Sequence, residues 1–159
     1  MERNTKTKDD SRAALNEHVF VSLMRTADAL SRGGEALLKT YNLSGTQYNI
    51  LRILRGAREE GLACREVGCK LISRDPDITR LLDRMELRGL IARAREKDDR
   101  RVVKARITAE GLRLLSELDE PVREFHRRQL RHMPVKQVEQ LLKLLDRVRE
   151  PLEGHTAED

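Results

Sequence analysis

The apolar positions of this chain keep a helical period over most of its length and change to a two-residue period only once. From Val19 onward, Phe20, Leu23, Ala27, Leu30 and Leu37 recur at helical spacing and predict a long first helix. Gly33-Gly34 lies inside it and, at about 1 kcal/mol per Gly relative to Ala, predicts a bend or the close packing of another backbone. Ser44 and Gln47 have the S-x-x-Q spacing that starts a helix, and Ile50, Leu51, Ile53 and Leu54 supply its buried side. Residues 64–72 predict a short helix with Val67, Leu71 and Ile72 facing inward. Asp75-Pro76 opens the next helix, with Asp75 as N-cap and Pro76 at a first position that needs no N–H. There Ile78, Leu81, Leu82 and Met85 form the core stripe, and Thr79, Arg80, Asp83 and Arg84 point outward. Gly89 fits the left-handed position beyond its end.

The period then changes. Residues 90–95 read as a short strand, and in a second strand Val103, Ala105 and Ile107 alternate with Val102, Lys104 and Arg106. The segment Glu96-Lys97-Asp98-Asp99-Arg100-Arg101 between them is too charged for burial, so it predicts a hairpin tip in solvent. Helical spacing returns with Leu115, Leu118, Val122 and Phe125, and again with Val138, Leu141, Leu145, Val148 and Leu152. Pro121 should kink or split the first of these helices. Both are heptad-like seams. They can pack within one chain, but two long stripes exceed what a small module shelters, which favours a homodimer interface built from the first and last helices.

The predicted fold is mainly α with a small β-wing: a winged helix-turn-helix plus N- and C-terminal dimerisation helices. The expected organisation is a disordered N-terminal arm over residues 1–11, a single domain over 12–152 and a disordered tail over 153–159. Within the domain, 12–40 and 112–152 are dimerisation helices and 44–111 the winged helix-turn-helix.

Composition sharpens this reading. The 159 residues are 38% hydrophobic and 37% charged, a lean apolar share that suits long amphipathic helices completing their burial against a second copy. Aromatic residues are 3% and Trp is absent, so stacking on single-stranded nucleic acid or a planar cofactor is poorly supplied. The net charge is +5. Residues 74–106 hold eleven Lys or Arg against seven Asp or Glu, a local +4, so the excess sits on the candidate helix and wing. The charged start MERNTKTKDDSR lacks a signal-peptide core, and no apolar run approaches the roughly 18 residues that span a membrane. A cytoplasmic protein with no membrane partner is expected.

Several chemistries find no support. A Gly-rich phosphate loop, a nucleophile elbow and a metalloprotease motif are all missing, and the carboxylates are interleaved with Arg and Lys as ion pairs would be, so no enzyme and no cofactor are expected. His18, His126, His132 and His155 lack metal-ligand spacing, so no metal is expected either. Cys64 and Cys69, five residues apart, point about 140° from each other on an ideal helix and read as buried structural thiols.

The exposed side of the helix after Asp75 has what a major groove requires. Arg80 and Arg84, one turn apart, can reach guanine edges bidentately or bind phosphate, and Thr79 can donate to a base or a phosphate. Arg74 can anchor the backbone, and Asp77 can accept from cytosine or favour the positive helix end. Asp83 can pair locally with Arg80. On the hairpin, Lys97, Arg100 and Arg101 can enter a minor groove, with Asp98 and Asp99 as struts that hold an Arg extended.

With these residues in place, the segment ITRLLDRMELRGLI and the wing DDRRVVKARITAEG resemble the multiple-antibiotic-resistance regulator (MarR) family over roughly residues 19–152. The most specific part is Asp99-Arg100-Arg101 followed by Ile107-Thr108 and Gly111. The resemblance implies a homodimeric winged-helix transcription regulator that binds a pseudo-palindromic operator in double-stranded DNA. It implies that the helix at 75–88 enters the major groove and that Arg101, held by Asp99, enters the minor groove. Many members release DNA when a small aromatic or phenolic acid binds between the dimerisation helices and the winged domain, and repression is the expected mode. By location, His18, Met24, Tyr48 and Arg52 are the candidate ligand contacts. A thiol-based redox sensor is a further alternative, though the oxidant-sensing cysteine near the start of the first helix is absent. The remaining alternative is a winged-helix protein-interaction module.

Overall fold

Hydrogen-bonding side chains at the element boundaries set much of this architecture. The computed structural model, which describes residues 3–73, 76–96, 99 and 101–153 (backbone only for 3–9 and 153), contains six helices and one small sheet among those residues. The helices are α1 (Arg3–Lys39), α2 (Gly45–Ala57), α3 (Cys64–Cys69), α4 (Ile78–Leu87), α5 (Ala109–Leu130) and α6 (Val135–Glu153). The strands are β1 (Leu62–Ala63), β2 (Ile91–Arg95) and β3 (Val103–Ile107), and a 3₁₀ turn spans Arg58–Glu60.

Ser44 and Gln47 form the expected reciprocal cap at the start of α2: the Gln47 N–H donates to the Ser44 hydroxyl at 3.2 Å, and the Ser44 N–H to the Gln47 side chain at 3.0 Å. At the end of α4, Gly89 has φ +69°, its N–H reaches the Glu86 carbonyl at 2.8 Å, and the Leu90 N–H reaches Met85 at 3.0 Å. This pair of bonds closes the helix and turns the chain into β2.

The sheet has the order β1-β3-β2, antiparallel throughout. In the β2–β3 hairpin Ile91 faces Ile107 and Arg95 faces Val103, and Leu62 of β1 faces Ala105. The two-residue strand β1 was not anticipated, because a run of two residues carries no period. Tertiary contact creates it: Gly61, at φ +67°, has no room for a side chain, since a Cβ there would lie 2.5 Å from the Ala105 carbonyl oxygen.

The chain divides into two compact units, Met1–Glu120 and Pro121–Asp159. In the first, α2 packs on β3, α4 on β2, and α3 against β1 and β3. Its core comprises Ile50, Leu51 and Leu54 of α2, Val67 of α3, Leu81, Leu82 and Met85 of α4, Ile91, Ala105, and Leu115 and Leu118 of α5. Each large aliphatic side chain buried there contributes about 1.5–3 kcal/mol relative to exposure. In the second unit, α6 leaves Leu141, Leu142, Leu144, Val148 and Leu152 exposed.

Several sequence expectations are corrected. Helix α1 begins at Arg3, inside the stretch 1–11 expected as an arm: once a helix is nucleated each further residue adds a hydrogen bond, and residues 3–11 hold no Gly or Pro. Helix α5 is not split at Pro121, and α1 continues as helix through Gly33-Gly34. Helix α4 begins at Ile78 rather than at Pro76: the Asp77 carbonyl accepts the first helical bond, from the Leu81 N–H at 3.1 Å. The Asp75 cap lies outside the described residues. Ile72 is exposed rather than inward, because α3 ends at Cys69 and its phase does not carry on. Leu115, Leu118 and Val122 are buried in the single chain, so the first seam is largely consumed without a second copy.

Candidate nucleic-acid interface

Helix α4 owes its placement to bonds that the sequence reading did not identify. Arg93 on β2, with a side chain only 19% exposed, reaches back to two α4 carboxylates. Its Nε donates to Glu86 Oε2 at 2.9 Å, its Nη2 donates to the same oxygen at 2.8 Å, and Nη2 also donates to the Asp83 carboxylate. The Arg93 backbone N–H donates to the other Glu86 oxygen at 2.9 Å. These charge-assisted bonds bind the helix to the root of the hairpin. The Arg93 side-chain bond holds the Glu86 carboxyl below its usual range, with the adjacent backbone bond adding to it. Burial opposes the charge on Arg93, but the two carboxylates outweigh it and raise its pKa. Asp83 therefore pairs with Arg93 rather than with Arg80, whose Nη1 lies 3.5 Å from Asp77. A helical i,i+3 phase suggested the local partner, whereas the strand brings a closer one.

Two more contacts fix the same helix. Arg88 Nη1 donates to the Asn42 carbonyl at 2.7 Å, and the Ile72 N–H donates to the Asn49 side chain at 3.0 Å in the turn ahead of α4. Thr108 joins the end of α4 to the start of α5. Its hydroxyl donates to the Gly89 carbonyl at 2.6 Å and accepts the Gly111 N–H at 3.1 Å. At Gly111 a Cβ would lie 2.3 Å from the Leu90 carbonyl oxygen, so the close approach requires glycine. The threonine and glycine of the ITAEG segment thus have a joint structural role.

With its inner side held, α4 presents Thr79, Arg80 and Arg84 to solvent, and Asp77 is exposed at its start. Arg84 makes no ion pair with a described residue. On the wing, the Asp99 carboxylate accepts the Arg101 backbone N–H at 2.9 Å, and the Asp99 carbonyl accepts the Val102 N–H at 3.0 Å. The strut thus acts on the Arg101 backbone, as in an Asx-turn, and Arg101 is exposed. Arg74, Lys97 and Arg100 lie outside the described residues.

The ligand candidates are only partly brought together. Tyr48 is half-buried and the Arg52 guanidinium carbon lies 5.9 Å from its ring centre, both on α2. Close by in sequence, Arg55 makes a two-pronged bond to Asp119 of α5 at 2.8 and 2.9 Å. That hydrogen bond raises the Arg55 pKa against the cost of burial. His18 and Met24 are exposed on α1, and among the described residues no hydrogen bond, ion pair or ring contact joins them to Tyr48 or Arg52. The cysteines depart from expectation: Cys69 is exposed and Cys64 half-buried, because α3 is a single short helix at the surface. Burial pushes the Cys64 thiol up, which disfavours the reactive thiolate. Among the described residues no group of His, Cys, Asp or Glu is placed to hold a metal ion, and no helix is long and apolar enough to cross a membrane.

Comparison with known proteins places this arrangement. The model of the MarR family matches residues 43–103, the span from the α2 cap to the start of β3. The transcriptional repressor IacR of Pseudomonas putida is 30% identical over 134 residues, covering 84% of this chain and 79% of the repressor. The transcriptional regulator TtmR of Methylorubrum extorquens is 31% identical over 115 residues, which cover 72% of this chain but only 58% of that regulator's length. Among solved structures, a MarR transcription factor from Planctomyces limnophilus is 39% identical, with a TM-score of 0.65 over 82% of this chain and 94% of that one. NadR, solved in complex with 4-hydroxyphenylacetate, is 27% identical, with a TM-score of 0.65 over 82% and 91%. These relatives are regulators and not enzymes, and the chain belongs to the MarR family of winged-helix transcriptional regulators.

Proposed function

We propose that the chain acts as a homodimer that binds a pseudo-palindromic operator in double-stranded DNA and represses transcription from the cytoplasm. The observation that carries this reading is the exposed Thr79, Arg80 and Arg84 face of α4, clamped from behind by Arg93 and flanked by a hairpin bearing Arg101. A rigid helix with Arg side chains one turn apart suits the donor and acceptor pattern of the major groove, and an Arg beside it suits the narrow minor groove. On sequence alone, Arg74 adds a backbone anchor, and Lys97 and Arg100 join Arg101 as candidates for the minor groove. Exposed apolar residues on α1 (Leu15, Val19, Phe20, Met24) and on α6 support self-association.

Release by a small aromatic or phenolic acid is the regulatory part of the proposal. It is supported by the likeness to NadR, whose structure holds 4-hydroxyphenylacetate. Tyr48 and Arg52 offer a ring and a cation suited to such an acid, and His18 and Met24 join them as candidates from the neighbouring helix.

The test is selection of bound duplexes from a random pool, followed by titration at rising salt. A dimer making 6–10 phosphate contacts should lose about 10³-fold or more in affinity between roughly 50 and 200 mM salt. An enriched near-palindrome with that slope is the expected result. Failure to enrich any sequence would leave the protein-interaction alternative. Addition of 4-hydroxyphenylacetate then checks the effector class, and unchanged operator affinity would reject it.

A further inference from the structure

Leu87 has no role in the winged helix as described so far, yet it holds a prominent position. It is 88% exposed at the end of α4, and the buried residues of that helix are Leu81, Leu82 and Met85. Leu87 follows Arg80 by seven residues and Arg84 by three, so at 3.6 residues per turn it shares their outward face and points nearly opposite the buried stripe. The Arg80 side chain is 81% exposed, and Arg84 and Arg88 are exposed too. The nearby carboxylates of Asp83 and Glu86 are turned into the Arg93 clamp. The outward face is therefore an apolar branched side chain beside exposed arginines, with the Asp83 and Glu86 carboxylates turned into the clamp and Asp77 paired with Arg80 at the far end of the helix.

We infer that Leu87 is a specificity residue that packs against the C5-methyl group of a thymine in the major groove, a reading that rests on the DNA-binding function proposed above. The thymine methyl is the one apolar group that the base edges present there. A protein partner would favour an apolar patch, whereas the exposed neighbours of Leu87 on this face are Arg80 and Arg84. Leucine has no donor or acceptor, so against cytosine or adenine it would cover an amino group and leave it unpaired, which penalises those bases. The arginines supply attraction to the backbone and to guanine, and Leu87 adds a preference that no charge can express. Its Cα lies about 10 Å along the helix axis from that of Arg80, or about three base steps for a helix lying along the groove.

The test uses the operator obtained by selection and the full chain. Each symmetric pair of thymines is replaced by deoxyuridine, which removes only the methyl group, and affinity is measured for wild type and Leu87→Ala. For the wild type, one thymine pair should cost about fourfold per half-site, the value of burying one methyl-sized group. Leu87→Ala should bind the thymine and uracil operators equally, with the salt slope and the thermal midpoint of wild type. Leu87→Gln should move the preference at that position toward adenine, whose N6 and N7 a glutamine can bridge. An enriched operator in which no thymine shows a penalty that Leu87→Ala abolishes overturns the inference and leaves the DNA-binding reading standing. Failure to enrich any operator removes that reading, and this inference with it.

Discussion

At the wing the Asp99 carboxylate grips the backbone N–H of Arg101, while Arg101 itself remains exposed. This division of labour makes Arg101→Ala a clean test: affinity for the operator should fall roughly tenfold or more, a loss of at least about 1.4 kcal/mol. Thermal stability should stay within about 0.5 kcal/mol, since no core contact is touched. Equal affinity of mutant and wild type in a titration would remove the wing from the mechanism. Arg84→Ala is argued from its exposed place on α4 without an ion pair to a described residue. It should cost about 1–3 kcal/mol of binding and relax base preference at one position. A loss that is uniform across sequences would reassign Arg84 to phosphate. Such outward residues were legible in the sequence from the helical period alone. Arg93 was not, because its partners Asp83 and Glu86 stand ten and seven residues earlier on a different element. Only the return of β2 along α4 brings them together.

Helix α4 and the hairpin act as one body because Arg93 joins them, and that junction gives a pH dependence with a definite sign. The Glu86 carboxyl is held below its unfolded value by the Arg93 bonds. Its contribution to stability is present above the unfolded carboxylate pKa of about 4.3 and disappears as pH falls through the lower folded value. Thermal midpoints should thus be insensitive to this pair near neutrality and fall below about pH 4, and Glu86→Gln should flatten that acid limb. A variant with the same acid limb as wild type would show that the pair contributes nothing to it. The junction between the wing and α5 is more brittle. Gly111→Ala sets a Cβ against the Leu90 carbonyl oxygen, and since backbone must shift, a loss of about 1–3 kcal/mol is expected from thermal unfolding. Unchanged stability would mean that the close approach is easily relaxed. The sequence marked the elements themselves well: the Ser44 cap, Gly89 and the alternating β3 all appear as read. It misplaced the start of α4 and missed β1. The first depends on which carbonyl accepts first, and the second on the pairing of Leu62 with Ala105.

For the whole molecule, the decisive question is what covers the apolar side chains that one chain leaves in water. On α1, Phe20 is 63% exposed, and on α6, Leu144 and Val148 are each about half exposed. A dimer is the proposed answer. Phe20→Glu should yield a monomer by light scattering and lower operator affinity on the order of 10²-fold, because two half-sites would no longer be bound as one. A wild-type monomer at micromolar concentration would sink the proposal. Sequence by itself determined the class of fold, the order of helix, hairpin and helix, and the basic excess on the reader and wing. Those features follow from local period, capping chemistry and charge, and each is written in neighbouring residues. Tertiary structure decided which side chains hold the reader in place. The Arg93 clamp, the Arg88 bond to Asn42, and the Thr108 and Gly111 joint all join separate elements, and their geometry exists only once the chain has folded back on itself. It also decided that Leu115 and Leu118 are buried within one chain while Phe20, equally part of a helical stripe, stays exposed, because equal hydrophobicity in a sequence says nothing of which residues find a neighbour.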